Sequence, residues 1–452
     1  MNRRHTTFAA VLASTLALAA CAPGSGTDSG AGSTPAKPAD QVNTDPASMG
    51  DVTLTIWDQE VRGGQEKQMS ALNAQFQEKY PNITINRVSR SFDDLTKTLR
   101  QALTGNDAPD IVQANNTRSQ MGEFVKANQI INLDPYAAAY KWKDRFPASV
   151  QSLVSYSPDA ATFGEGSIFG LPQVGEVVGV YYNKKTMNEL GITPPTTWDE
   201  FEKSLETAKA KNETPLMLGN LDKWPAVHVF GVLQGRYEGT DAIRTLAFGQ
   251  PGGNWSDKGN VDAGTKFVEW VDKGYFNNGF NGEGYDPAWQ KFSKGEGLYL
   301  IAGSWLQADL SAAMKGDVGF MLPPAGDGGK AVTTGGSGLP FAITSKAANP
   351  DAAAAYIDFI TSDDAMKVLA DNGNMPIIDT AKYETADPLG KEIFNAFGEV
   401  STNDGLVPYL DWATPTMGDT IGAALQDMLA KKQTPQQAME TIGKDYTDFT
   451  SK

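Results

Sequence analysis

The chain has 452 residues, of which 40% are hydrophobic, with nine Trp, 46 Gly and a single Cys. That length exceeds what one hydrophobic core sustains, so two domains are expected, and the apolar content describes a folded chain rather than a disordered one. Its 54 acidic and 38 basic residues leave a net charge of -16; such a surface is poorly matched to nucleic acid, whose binding rests on neutralising phosphate, and instead favours solubility.

Arg3 and Arg4 precede the apolar run FAAVLASTLALAA. The run is shorter than the ~20 residues needed to span a bilayer, so residues 1–20 read as an export signal. It ends in Leu18-Ala19-Ala20-Cys21, the pattern of a bacterial lipobox, in which cleavage leaves the cysteine N-terminal and acylated. Cys21 is the only cysteine, so an internal disulfide is excluded even in an exported chain. After Cys21 the chain continues as APGSGTDSGAGSTPAKPADQVNTDPASMG, a composition too poor in apolar residues to fold, and residues 21–50 read as a flexible tether of ~30 residues. The expectation is a soluble body from Asp51 onward, held at the extracytoplasmic face of the cell membrane through lipid alone.

The body opens with VTLTIW (52–57), an alternating strand, then a helix with Met69, Leu72, Phe76 and Tyr80 at helical spacing. NITINRV (82–88) is a second strand. Leu95, Leu99 and Leu103 mark one face of a second helix, with Ser91 and Asp94 placed to cap it and Gly105 to end it. APDIVQANN (108–116) is the third strand. Strand–helix–strand–helix–strand predicts a parallel sheet with right-handed crossovers, and ligands of such sheets sit beyond the carboxyl ends of the strands. The residues there are Asp58, Gln59, Glu60, Arg62, Arg90, Asn115, Asn116 and Arg118. Planar and polar, they suit a polyhydroxylated or anionic small molecule, although each also fits a solvated loop.

Residues 169–185 read FGLPQVGEVVGVYYNKK, a strand-like run interrupted by the lone carboxylate of Glu176. Further on, Thr197 and Glu200 form a capping box before a helix, and LYLIA is a strand that stops at Gly303-Ser304-Trp305. GGSGL (335–339) is a glycine-rich turn, with Gly335 and Gly336 read as a close backbone approach to ligand. It fails the nucleophile-elbow pattern at its last position. AGDGGKA (325–331) is not a phosphate loop, and no zinc or calcium spacing occurs. His228 is the one histidine beyond the leader.

In this order the chain resembles the family 1 extracellular solute-binding proteins of ABC importers, the maltose-binding-protein-like group. Four stretches carry the resemblance: LTIW…FQEKYPNITI; APDIVQA; GLPQVGEVVGVYYNKKTMNELGITPPTTWDEF; and GEGLYLIAGSW…DVGFMLPPAG…GLPFAITSKAANPDAAAAYIDFI. It runs from about residue 51 to the end. It implies an α/β, two-lobed periplasmic-binding-protein-like fold (type II), each lobe a mostly parallel sheet flanked by helices, with the ligand cleft between them. By analogy the first lobe takes 51–173 and 319–361, the second 174–318 and 362–452.

The resemblance also implies a monomeric binder and not an enzyme, with no cofactor or metal, a carbohydrate (an oligosaccharide) as ligand and permease subunits as partners. Glu176, seven residues before Asn183 of YYNK, matches the ligand-facing glutamate of the group, where a charged acceptor strengthens bonds from hydroxyls. A hinge salt bridge is its alternative role. Trp305 matches an aromatic residue that stacks on a sugar ring, whose C–H face an indole can cover. Arg62 matches a lysine that bonds sugar hydroxyls. Trp57 holds the place after the first strand, with packing beneath the cleft as its alternative, and Trp224, Trp255 and Trp412 are further candidates in loop contexts. Ala114 and Thr117 depart from the group, which carries a cleft Trp and an Asp sugar ligand there, so the implied site is not an unchanged maltodextrin site. Arg62, Arg90 and Arg118 leave room for an acidic sugar or a glycerophosphodiester. A secreted glycosidase is the enzymatic alternative, since two carboxylates suffice for that chemistry.

Overall fold

The computed structural model describes residues 37–451 except Glu384. The leader and Cys21 therefore lie outside the described residues. The first lobe is built as its opening pattern predicts. Strand β1 (Val52–Asp58) leads to helix α1 (Gly63–Lys79), β2 (Ile83–Ser89), helix α2 (Phe92–Thr104) and β3 (Ile111–Gln113). β1 lies parallel to both β2 and β3. Ser91 Oγ accepts from Asp94 N at 3.2 Å to open α2, and Leu95, Leu99 and Leu103 form its buried face. β3 is only three residues long, against the nine of the expected segment. Just before it, Asp110 keeps its backbone bonds to Thr55 and Thr344 while its carboxylate accepts from Thr55 N and Ala348 N.

A short ribbon, β4 (Ser155–Tyr156) with β5 (Ser167–Ile168), precedes the long strand β6 (Gly175–Asn183). Every residue of β6 except Glu176 is buried, as in a strand covered on both faces. Around it stand β7 (Leu216–Met217), β8 (Tyr299–Gly303), β9 (Val318–Met321), β10 (Thr333–Ser337) and, at the edge, β12 (Leu406–Val407); β11 (Phe341–Ile343) instead joins the first sheet beside β3. β6 runs antiparallel to β8, β9 and β10. The expectation of a mostly parallel sheet thus holds for the first lobe and is corrected for the second. β6 starts at the cleft and runs away from it, whereas β8 runs toward the cleft and ends at Gly303, so the two must oppose.

The expected lobe boundaries also shift. Of residues 319–361, β9 and β10 pair with β6 in the second sheet, and the chain returns to the first only at β11. Residues 363–378 do not pass to the second lobe at once: Met366, Leu369, Ile377 and Ile378 join the core that holds Leu54, Met69 and Phe76. The flexible reading of 21–50 is corrected over its last part. Lys37 Nζ and Asn43 N bond the Asp351 carboxylate at 2.6 and 3.0 Å, and Asn82 Nδ2 donates to the carbonyls of Pro46 and Gly50. Composition underestimated this stretch because its partners are distant in sequence. Among the described residues no helix is long and apolar enough to cross a membrane, and no cluster of metal-ligating side chains occurs.

Candidate functional site

A cavity of about 590 Å³ opens between the lobes. Its first-lobe wall comes from the loops after the strands: Gln59, Arg62 and Gln65 after β1, Phe92 and Asp93 at the start of α2, and Asn115 and Asn116 after β3. The floor is Glu176 on β6 and Ser337 on β10, and the second-lobe wall carries Trp224, His228, Trp305, Tyr409, Asp411 and Trp412.

Local structure explains how these side chains arrive. At the end of β8, a Cβ on Gly303 would fall 1.9 Å from the Trp305 ring; glycine lets the indole fold back over the strand end. Trp305 Nε1 donates to Tyr285 Oη at 2.6 Å, fixing the ring. Trp224 begins the helix Trp224–Tyr237, and its ring lies 4.4 Å from Tyr285 and 6.3 Å from Trp305. Phe92 of the first lobe meets Trp224 edge-on at 6.0 Å, and Arg62 Nη2 reaches Asp286 at 3.2 Å. The two lobes thus touch beside the cavity.

Glu176 forms no ion pair among the described residues; Tyr409 Oη donates to its Oε2 at 2.9 Å. Enclosure pushes its carboxyl up to about 7, while the Tyr409 bond pulls the other way. Glu60 lies just behind the wall, accepting from Gln113 Nε2 at 2.7 Å; burial pushes it up to about 7. Arg87 clamps Asp58 through Nε and Nη2 at 2.6 and 2.8 Å and holds the Glu60 carbonyl, which locks the turn that presents Gln59. Asn116 spends its amide on the Leu153 carbonyl and Ser337. Trp224 Nε1, Arg62 Nε and Gln65 Oε1 are buried without a hydrogen-bond partner, the condition that a bound polar molecule would relieve.

The cavity therefore gathers Gln59, Arg62, Asn115, Asn116, Glu176, Trp224, Trp305 and Trp412 from the expected set. The others lie elsewhere. Trp255 is buried in the second-lobe core, 6.3 Å from Phe230, because its loop turns inward. Gly335 and Gly336 form no turn but pair with Val177 and Glu176 within β10; the close approach they permit is to a strand. Trp57 packs against the core with the Arg90 guanidinium 4.3 Å from its ring centroid, so neither lines the cavity. Arg118 donates to the carbonyls of Ala160, Ala161 and Phe248, away from the cleft. Sequence reasoning missed Phe92, His228, Tyr409 and Asp411. Tyr409 and Asp411 flank the Trp412 candidate closely enough to have been found with it.

A family model described as bacterial extracellular solute-binding protein matches residues 62–367. The multiple sugar-binding protein of Streptococcus mutans serotype c is 25% identical over 342 residues, spanning 73% of this chain and 78% of that protein. Among solved structures, a chitin oligosaccharide binding protein superposes with a TM-score of 0.75 at 24% identity, over 89% of this chain and 100% of the other. The solute receptor AcbH, whose described preference is for b-D-galactopyranose, superposes with a TM-score of 0.76 at 16% identity, over 89% of this chain and 100% of its own.

Proposed function

Since this chain belongs to the bacterial extracellular solute-binding protein family, we propose that it captures a neutral oligosaccharide between its lobes and delivers it to the permease of an ABC importer. The observation that carries this reading is the lining of the cavity, which brings Glu176 and the indoles of Trp224 and Trp305 to one space. An indole covers the C–H face of a pyranose and a fixed carboxylate accepts from its hydroxyls. The charges support an uncharged ligand: Arg118 and Arg90 are engaged away from the cavity, Arg62 is paired with Asp286, and the exposed Lys97, Arg100 and Lys223 on its lining are offset by Asp93, Asp222, Asp411 and Asp419. Ligand that touches both lobes favours the closed form, because half its contacts exist only there. Binding proceeds without chemistry. Cys21 carries the lipid that holds the protein at the outer face of the cell membrane, and the protein acts as a monomer.

A thermal-shift screen tests the reading, with neutral oligosaccharides, acidic sugars and glycerophosphodiesters as probes. A binder at 100 times its dissociation constant adds about 2.7 kcal/mol of stability. A neutral glycan that stabilises the protein and is recovered intact supports the proposal; one that is consumed makes the protein an enzyme.

A further inference from the structure

His228 is the only histidine among the described residues. It stands one turn after Trp224 on the same helix, and the four-residue spacing puts both side chains on one face. Its ring centroid lies 5.5 Å from Trp224, 5.4 Å from Trp305 and 5.3 Å from Tyr409. Three aromatic rings thus hold it in place while it lines the cavity, and no protein group among the described residues bonds its nitrogens.

We propose that His228 sets the ligand class of this cavity: its imidazole donates one hydrogen bond to the bound saccharide and accepts another from it, and so selects an uncharged sugar with a hydroxyl at that point over a uronic acid or a phosphorylated sugar. The proposal rests on the carbohydrate reading above. An unprotonated imidazole is a donor at one nitrogen and an acceptor at the other, and a hydroxyl answers both. A carboxylate or phosphate only accepts, which leaves one ring nitrogen unpaired unless the ring takes a proton. Enclosure by the aromatic rings opposes that proton and pushes the imidazole down to about 3.

The charged groups near it do not favour an anion either. Glu176 is held through Tyr409, and Asp222 and Asp411 line the same wall. Facing them are Lys97, Arg100 and Lys223, all exposed, and Arg62, which is paired with Asp286; Asp93 and Asp419 add to the acidic lining.

The test uses the full-length chain with His5→Gln, so that His228 supplies the only imidazole signal. Diacetylchitobiose, maltotriose, xylobiose and raffinose are the neutral probes; digalacturonate and glycerophosphocholine are the charged ones. Melting temperature and the imidazole nitrogen resonances are read together. The expected result is that a neutral probe raises the melting temperature and moves both nitrogen resonances, with the ring uncharged down to pH 5. His228→Phe then loses at least about tenfold in affinity for that probe, while His228→Gln, which keeps a donor and an acceptor, recovers most of it. Melting of both variants without probe reports whether either is misfolded. A stabilising neutral probe that leaves the resonances unmoved overturns the assignment of His228 and spares the carbohydrate reading. A charged probe that binds with the imidazole protonated at pH 7 overturns it as well. If none of the neutral probes stabilises the protein, the carbohydrate reading fails and the proposal with it.

Discussion

Two enclosed carboxylates border the cleft, and both hold their charge poorly. Burial of Glu60 and loss of solvation of the half-buried Glu176 in the cleft push each up to about 7 from 4.5. A folded value above the unfolded one means that the folded chain binds more protons between the two. The stability these groups contribute is complete below 4.5 and is lost as pH rises through about 7. Glu60→Gln, which keeps an acceptor for Gln113, is therefore expected to raise stability over wild type at pH 8 by up to about 3 kcal/mol and to leave it unchanged at pH 4.5. Equal calorimetric differences at both values would show that the charge is not at fault. Trp305→Ala is expected to weaken glycan binding by about 1–3 kcal/mol; titration calorimetry with unchanged affinity rejects stacking on this ring. Glu176 and Trp305 were legible in the sequence because each is anomalous where it stands, a carboxylate in an apolar strand and an indole just past a strand end. Tyr409 and His228 were not, because their roles come from neighbours up to 233 residues away, the separation between Tyr409 and Glu176.

At the scale of elements, the pairing of β10 with β6 positions the floor of the cavity. A Cβ at Gly335 would meet the Glu176 carbonyl at 2.4 Å and Leu406 Cδ1 at 2.8 Å. Gly335→Ala is expected to cost about 1–3 kcal/mol of stability, since strands must part to admit it. Gly316→Ala, where nothing lies within 4 Å of the added carbon, serves as the control and should stay within about 0.5 kcal/mol. Chemical denaturation of both variants decides the matter, and equal losses would mean that the strands tolerate the methyl group. Periodicity and caps revealed α1, α2 and the helix Trp198–Ala210 but not the helix Trp224–Tyr237, whose first residue was expected in a loop; Thr197 Oγ1 accepts from Glu200 N as expected, although the Glu200 carboxylate returns to Thr196 and not Thr197. Sheet direction in the second lobe was hidden, because antiparallel order there depends on which lobe a strand enters from.

For the molecule as a whole, lipid at Cys21 predicts that the wild-type protein partitions with membranes and that Cys21→Ala is released. Fractionation checks it, and a mutant still bound to membrane removes the anchor from the account. The two-lobed α/β architecture was readable from the order of segments, whereas the boundaries between lobes were not, since the chain crosses between sheets at points that only strand pairing reveals. The distribution of tryptophan has an optical consequence. Trp224 and Trp305 line the cleft half-buried, Trp57 and Trp289 are half-buried outside it, and Trp142, Trp198, Trp255, Trp270 and Trp412 are sealed from water. Indole emission shifts in colour and brightness with the water around the ring. A solute that dries the two cleft rings while the other seven glow unchanged gives the protein its own fluorescent gauge of occupancy, with no dye attached.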